Sequence, residues 1–226
     1  MQVTPALGLA PSLRRPPVSD RRQLLAIMNQ EQVLELFRRT GAMLEGHFLL
    51  SSGRHSDRYF QCALLLADPR KAEQLARALA LQIEVAADIV VGPALGAVTW
   101  AHEMARATNL NSYFVERVGE KFALRRGFQL HAGQRVLVVE DVLTTGKSVR
   151  EVFEVLRGYG AEPIGVASIV NRSGLDNPFE AEGLPFWRLA DVDAQNWAAD
   201  ECPLCKSGEH GPAIKPGSRP GAVKSA

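Results

Sequence analysis

Between residues 88 and 170 short apolar runs alternate with segments of helical spacing, and this alternation limits the possible folds more than any other feature. Asp88-Ile89-Val90-Val91 is a brief buried run closed by Gly92-Pro93, and Arg135 to Val139 is the clearest strand. Between them, Ala94 to Ala107 reads as a helix and Asn111 to Val115 as a strand. A helix from about Ser148 to Tyr159 then leads to a strand over Glu162 to Val170. Strands and helices in turn imply parallel βαβ units, with a site at the carboxyl ends of the strands. Upstream, Arg22 to Arg39 carries apolar residues at Leu24, Leu25, Met28, Val33, Leu34 and Phe37, a helical spacing that Gly41 ends. His47 to Phe60 reads as extended, with a turn at Ser52-Gly53-Arg54, and the apolar run from Cys62 reads as extended core. Pro69 to Ile83 is a helix with proline in its first turn.

The 226 residues fit one α/β domain with frayed ends. Residues 1–21, with four prolines before residue 18, read as a disordered extension. Residues 22–205 form the domain, and residues 206–226 form a loose tail rich in Gly, Pro, Ser and Lys. Lys and Arg number 26 against 25 Asp and Glu, which argues against a surface built to clamp nucleic acid. No apolar run approaches a membrane span, and three cysteines exclude a disulfide scaffold. These features together predict a soluble, cytoplasmic domain.

The chemistry concentrates in Val138-Val139-Glu140-Asp141-Val142-Leu143-Thr144-Thr145-Gly146-Lys147-Ser148. An apolar strand ends in two adjacent carboxylates, and a hydroxyl- and glycine-containing loop then opens a helix. A helix N-terminus presents unpaired N–H groups and the positive end of a dipole, which suits a phosphate. Thr144, Thr145 and Ser148 add hydroxyl donors, and Gly146 lets backbone come close to an anion. Carboxylates touching that phosphate would repel it, so the acidic pair needs another partner. Vicinal hydroxyls or a hydrated Mg²⁺ meet the need. The bland alternative is a capped strand followed by an ordinary turn. A P-loop is excluded, because its first glycine would fall at position 141, where Asp141 stands.

This segment resembles the signature of the type I phosphoribosyltransferases, which bind 5-phosphoribosyl 1-diphosphate. The resemblance implies that family's fold: a central, mostly parallel sheet flanked by helices, with a small hood. It implies that Glu140 and Asp141 face the ribose hydroxyls and that residues 142–148 hold the 5-phosphate. Gly46 to Phe60 (GHFLLSSGRHSDRYF) and Asn171-Arg172-Ser173 resemble the orotate phosphoribosyltransferases, in which an arginine faces the substrate's carboxylate. A guanidinium fork grips a carboxylate bidentately, so Arg172 is the expected orotate contact, with Phe60 near the pyrimidine ring and Thr144 touching both substrates.

Glu116 to Phe128 resembles the same family's mobile loop. By that resemblance Arg117 and Lys121 stabilise the pyrophosphate leaving group from across a homodimer with shared active sites. Asp141, Lys121 and Arg117 are then the catalytic residues, and Mg²⁺ arrives on the donor diphosphate with no direct protein ligand. The chain departs from the family at Ser51, at Leu95-Gly96 and at Val118, where many members carry lysine or an aromatic residue. Another base, or a regulator that binds the donor without turnover, stays open as an alternative. Cys202-x-x-Cys205 with His210 supplies only part of a zinc site, since no second CxxC follows, and a packed tail segment is expected there.

Overall fold

The computed structural model describes residues 28–50, 53–193 and 195–216. Helix α1 (Gln30–Arg39) starts at a capping box: the Asn29 side chain accepts the Gln32 N–H, and the Gln32 side chain accepts that of Asn29. The expected start at Arg22 lies outside the described residues. Strands β1 (Met43–Leu49) and β2 (His55–Phe60) form an antiparallel hairpin. The run after it is helix α2 (Cys62–Leu66), not an extended segment, and it leads to α3 (Pro69–Ala80), whose N-cap is Asp68. Then follow β3 (Ile89–Pro93), α4 (Gly96–Thr108), β4 (Asn111–Val118) and β5 (Lys121–Leu124). The chain continues through β6 (Arg135–Leu143), α5 (Lys147–Gly158), β7 (Glu162–Asn171) and β8 (Phe186–Asp191), and ends with β9 (Asn196–Trp197) and α6 (Pro203–Ser207).

Six strands form the main sheet in the order β5-β4-β3-β6-β7-β8, parallel throughout except for β5. A second, three-stranded sheet in the order β1-β2-β9 forms the hood. Alternation along the main strands divides the core. Val90, Leu137, Val139, Ala167 and Ile169 pack with Leu75, Leu79 and Trp100 on one face. Val91, Val136, Val138 and Val166 pack with Val149, Val152, Phe153 and Leu156 of α5 on the other. A strand buried on both sides must be apolar at every position, which is why β3 and β6 were legible as continuous runs. Each fully buried side chain of this kind contributes about 1.5–3 kcal/mol.

The structure corrects two boundaries that bear on function. Strand β6 runs on to Leu143, so the acidic pair expected to end the strand sits inside the β6–β7 ladder, with Glu140 opposite Ser168 and two more strand residues after Asp141. The tail expected to be loose from residue 206 is tied down through Ile214. The Ile214 N–H donates to the His47 carbonyl at 2.9 Å, and the Leu49 N–H donates to the Ile214 carbonyl at 2.7 Å. Residues 1–21 and 217–226 lie outside the described residues. Among the described residues, no helix is long and apolar enough to cross a membrane.

Candidate active site

From β3 the chain winds outward one way to β4, and from β6 it winds the other way to β7. The crevice between the carboxyl ends of β3 and β6 is therefore the sheet's topological switch point, where open α/β sheets bind ligands. Two turns border it. One is Gly92 to Gly96, in which the Ala94–Leu95 peptide is cis and Leu95 is 88% exposed. The other is the turn after β6. They meet at Gly96, where a Cβ would lie 3.2 Å from Asp141 Oδ2. Gly96 thus leaves room for the carboxylate.

Asp141 Oδ1 accepts the Val142 N–H at 2.9 Å. The Cys62 thiol, at the start of α2, hydrogen-bonds the same carboxylate, and burial together with the acidic pair pushes that thiol well up, so it stays protonated. Tyr59 is raised too, by burial first and then by the Asp141 charge. Burial, and next the neighbouring Asp141 charge, push the Glu140 carboxyl well above the usual carboxylate range. The free pair is poised to take a hydroxyl or a cation that relieves this repulsion.

Beyond the pair, Leu143 is buried, so the chain offers only backbone there, and Val142 packs partly against the core. Thr144, Thr145 and Lys147 are exposed around the N-terminus of α5, and Ser148 is half-buried. Gly146 takes a left-handed conformation (φ 72°), and a Cβ there would meet Arg150 Nη1 at 2.9 Å and the Phe179 ring at 3.2 Å. Position 146 thus requires glycine on both counts. Arg150 braces the turn, donating to the Thr145 carbonyl at 3.0 Å and to the Pro178 carbonyl at 2.6 Å.

Arg172 follows β7, and its N–H donates to the Leu143 carbonyl at 2.7 Å, which couples it to the phosphate turn. Its Nη2 donates to Ser56 Oγ at 3.3 Å, and its guanidinium lies 5.2 Å from the Phe60 ring centroid. Its Nε–H is buried and finds no hydrogen-bond partner among the described residues. Burial lowers the Arg172 pKa, an effect Asp57 opposes. Phe60 is itself buried, edge-on to Phe37, so it backs the arginine.

The segment resembling a mobile loop is the β4–β5 hairpin, turning at Gly119 (φ 63°). Arg117 folds back on its own chain, donating to Glu151 Oε2 of α5 at 2.7 Å and lying 4.2 Å from the Phe122 centroid. Lys121 is exposed and makes no ion pair among the described residues. Val118 is exposed, and Ser51 lies outside the described residues.

Glu140, Asp141, the phosphate turn and Arg172 therefore converge at the switch point, whereas Arg117 and Lys121 stand on the hairpin at the sheet's edge. Ser56, Tyr59, Cys62 and Arg150 also belong to the site. Sequence reasoning missed them because their relevance arises from long-range packing; only Ser56 and Tyr59 lay within a motif already singled out.

A family model described as the phosphoribosyl transferase domain matches residues 65–182. The chain is 48% identical over 193 residues to an orotate phosphoribosyltransferase of Caldicellulosiruptor saccharolyticus, covering 85% of this chain and 98% of the relative. It is 47% identical over 196 residues to that of Sphingopyxis alaskensis, at 85% and 98% coverage. Among solved structures, the orotate phosphoribosyltransferase of Aeropyrum pernix matches with a TM-score of 0.59 at 28% identity, covering 71% of this chain and 93% of that one. That of Mycobacterium tuberculosis matches with a TM-score of 0.60 at 28% identity, covering 72% and 96%.

Proposed function

The chain belongs to the orotate phosphoribosyltransferase family, and on that premise we propose how its own residues carry the reaction. The reaction transfers the 5-phosphoribosyl group from 5-phosphoribosyl 1-diphosphate to a ring nitrogen of orotate, giving orotidine 5′-phosphate and pyrophosphate in pyrimidine biosynthesis. Orotate is itself the nucleophile, so no side chain need attack. The protein's work is to align the two substrates and to compensate charge as the C–O bond to pyrophosphate breaks.

The N-terminus of α5, with Thr144, Thr145, Gly146, Lys147 and Ser148, holds the 5-phosphate. Val142 and Leu143 contribute through backbone alone. Glu140 and Asp141 accept hydrogen bonds from the ribose hydroxyls, and Asp141 takes up the proton of the incoming base. Thr144, at the mouth of the turn, touches both substrates. Arg117 and Lys121 act on the diphosphate, Lys121 from the partner of a homodimer.

The acidic pair also fits a magnesium ion that arrives with the donor. Among the described residues no third carboxylate or histidine joins Glu140 and Asp141 to make an all-protein cage, and Mg²⁺ prefers substrate oxygens and water to such a cage. When bound, Mg²⁺ neutralises charge on the departing diphosphate. The free thiols of Cys62, Cys202 and Cys205 suit a reducing, cytoplasmic setting.

The observation that carries the orotate assignment is the unpartnered Nε–H of Arg172. A buried guanidinium donor without an acceptor is costly, and a carboxylate placed against Nε and Nη2 would satisfy both in one fork. Arg172→Ala is expected to raise KM for orotate roughly ten- to a hundred-fold, the worth of one charge-assisted hydrogen bond. KM for the donor should change far less. Initial rates at saturating levels of each substrate in turn separate the two, and equal loss for both would make Arg172 a structural residue.

A further inference from the structure

A second constellation lies in the hood, away from the crevice, and none of the chemistry above uses it. His47 of β1, His55 of β2, and Cys202 and Cys205 flanking the start of α6 bring one ligating atom each to within 4.8 Å of all the others. His47 Nε2 lies 3.0 Å from His55 Nδ1, 3.5 Å from Cys202 Sγ and 3.5 Å from Cys205 Sγ. Cys205 Sγ lies 3.3 Å from His55 Nδ1. A tetrahedral zinc ion with bonds of 2.3 Å to sulfur and about 2.05 Å to nitrogen requires edges of about 3.6 Å for nitrogen to sulfur and about 3.3 Å for nitrogen to nitrogen. The four measured separations fall within a few tenths of an ångström of that figure.

The protonation pattern points the same way. His47 Nδ1 is 2.8 Å from the Gly211 carbonyl, which can only accept, so the proton sits on Nδ1 and the Nε2 lone pair is aimed into the cluster. A carbonyl behind a ligating imidazole is the usual arrangement for fixing its tautomer around a metal. His47 and Cys202 are 3% and 0% exposed, so a lone pair and a thiol converge where water is excluded. Cys205 is exposed and leaves a route for the ion.

We propose that His47, His55, Cys202 and Cys205 bind a structural zinc ion. Two thiolates with two imidazoles in a tetrahedron select zinc over a hard cation such as Mg²⁺, and four protein ligands leave no open position for catalysis. The ion joins two segments distant in sequence: the β1–β2 hairpin and the C-terminal stretch. That stretch also carries Gly211 and Ile214, bonded to β1. The site holds the hood's β2 in place, where Ser56, directly after His55, accepts from Arg172. Sequence spacing around CxxC suggested His210 as a ligand. The structure replaces it with two histidines about 150 residues upstream, which is why half of the site was invisible in the local motif.

The test uses the full chain purified under reducing conditions. Elemental analysis should give one zinc per chain, and replacement by Co²⁺ should produce the d–d and thiolate charge-transfer absorption of a tetrahedral S₂N₂ site. Cys205→Ser, at an exposed position, should weaken Co²⁺ binding by more than the roughly 10–100-fold that losing an outer-shell partner costs, while His210→Ala should leave it unchanged. Zinc removal should lower Tm, and re-addition should restore it, since metal binding here is part of folding. The proposal is overturned if the wild-type chain, supplied with zinc, holds only trace metal and gives no cobalt spectrum. It is equally overturned if the reduced, folded, metal-free chain melts at the same temperature with and without zinc.

Discussion

Asp141→Asn is expected to lose about two to four orders of magnitude in kcat while folding normally, the range typical of removing a positioned acid–base group. The substitution keeps the size of a side chain enclosed by Gly96, Cys62 and the Val142 N–H, so packing has little reason to change. It also removes the neighbouring charge that helps raise the Glu140 pKa, and this gives a second readout with a definite sign. The Glu140 pKa is raised in the folded chain, so its contribution to stability is fully present below the usual carboxylate range and is lost as pH rises through the raised value. Donor binding to ionised Glu140 should therefore tighten as pH rises through that value in the wild type. In Asp141→Asn the same rise should occur at lower pH. Calorimetric titration of the donor without orotate, across pH, measures it. Unchanged kcat in a folded variant would remove Asp141 from the chemistry.

The next largest effect concerns Lys121, which stands exposed on β5 at the far edge of the sheet from the acidic pair. Should it serve the neighbouring subunit, Lys121→Ala and Asp141→Asn are each nearly inactive, but by independent defects. Random subunit exchange at equal amounts makes half the dimers mixed, and each mixed dimer has one site with both residues intact. About a quarter of wild-type activity should then return, provided the lysine acts at the transition state. Were the hairpin to serve its own chain, every site in a mixed dimer would carry one defect, and mixing would restore nothing. A tag on one partner shows whether exchange took place. Activity that stays at the parental level among tagged heterodimers would place Lys121 outside the partner's site.

The sequence made the parallel βαβ core legible because β3, β6 and β7 are buried on both faces over most of their length and carry apolar runs there. The acidic pair, the phosphate turn and Arg172 were legible because each lies near or just beyond the carboxyl end of such a strand. What stayed hidden depended on contacts between distant segments. The short β5, β8 and β9 carry little periodicity, and α2 is five residues of uniformly apolar character, which no period can distinguish from a strand. Cys62 read as core, and it is core, but its thiol faces Asp141 only because α2 packs against α3 and α4. Nothing in the sequence singled out Arg150, although it braces the turn that carries Gly146. The tail from residue 206 lacked the apolar surface that signals packing, and backbone hydrogen bonds at Ile214 hold it instead.

The central claim is that the crevice between β3 and β6 joins a phosphoribosyl donor to a carboxylate-bearing pyrimidine read by Arg172. Pyrophosphate release by the purified chain tests it most directly, with donor and Mg²⁺ present and orotate, uracil or adenine supplied in turn. Release that requires Mg²⁺, proceeds with orotate, and falls at least about ten-fold with uracil, which lacks the carboxylate, is the predicted result. Release with uracil or adenine as fast as with orotate, or donor binding with no release at all, would contradict it.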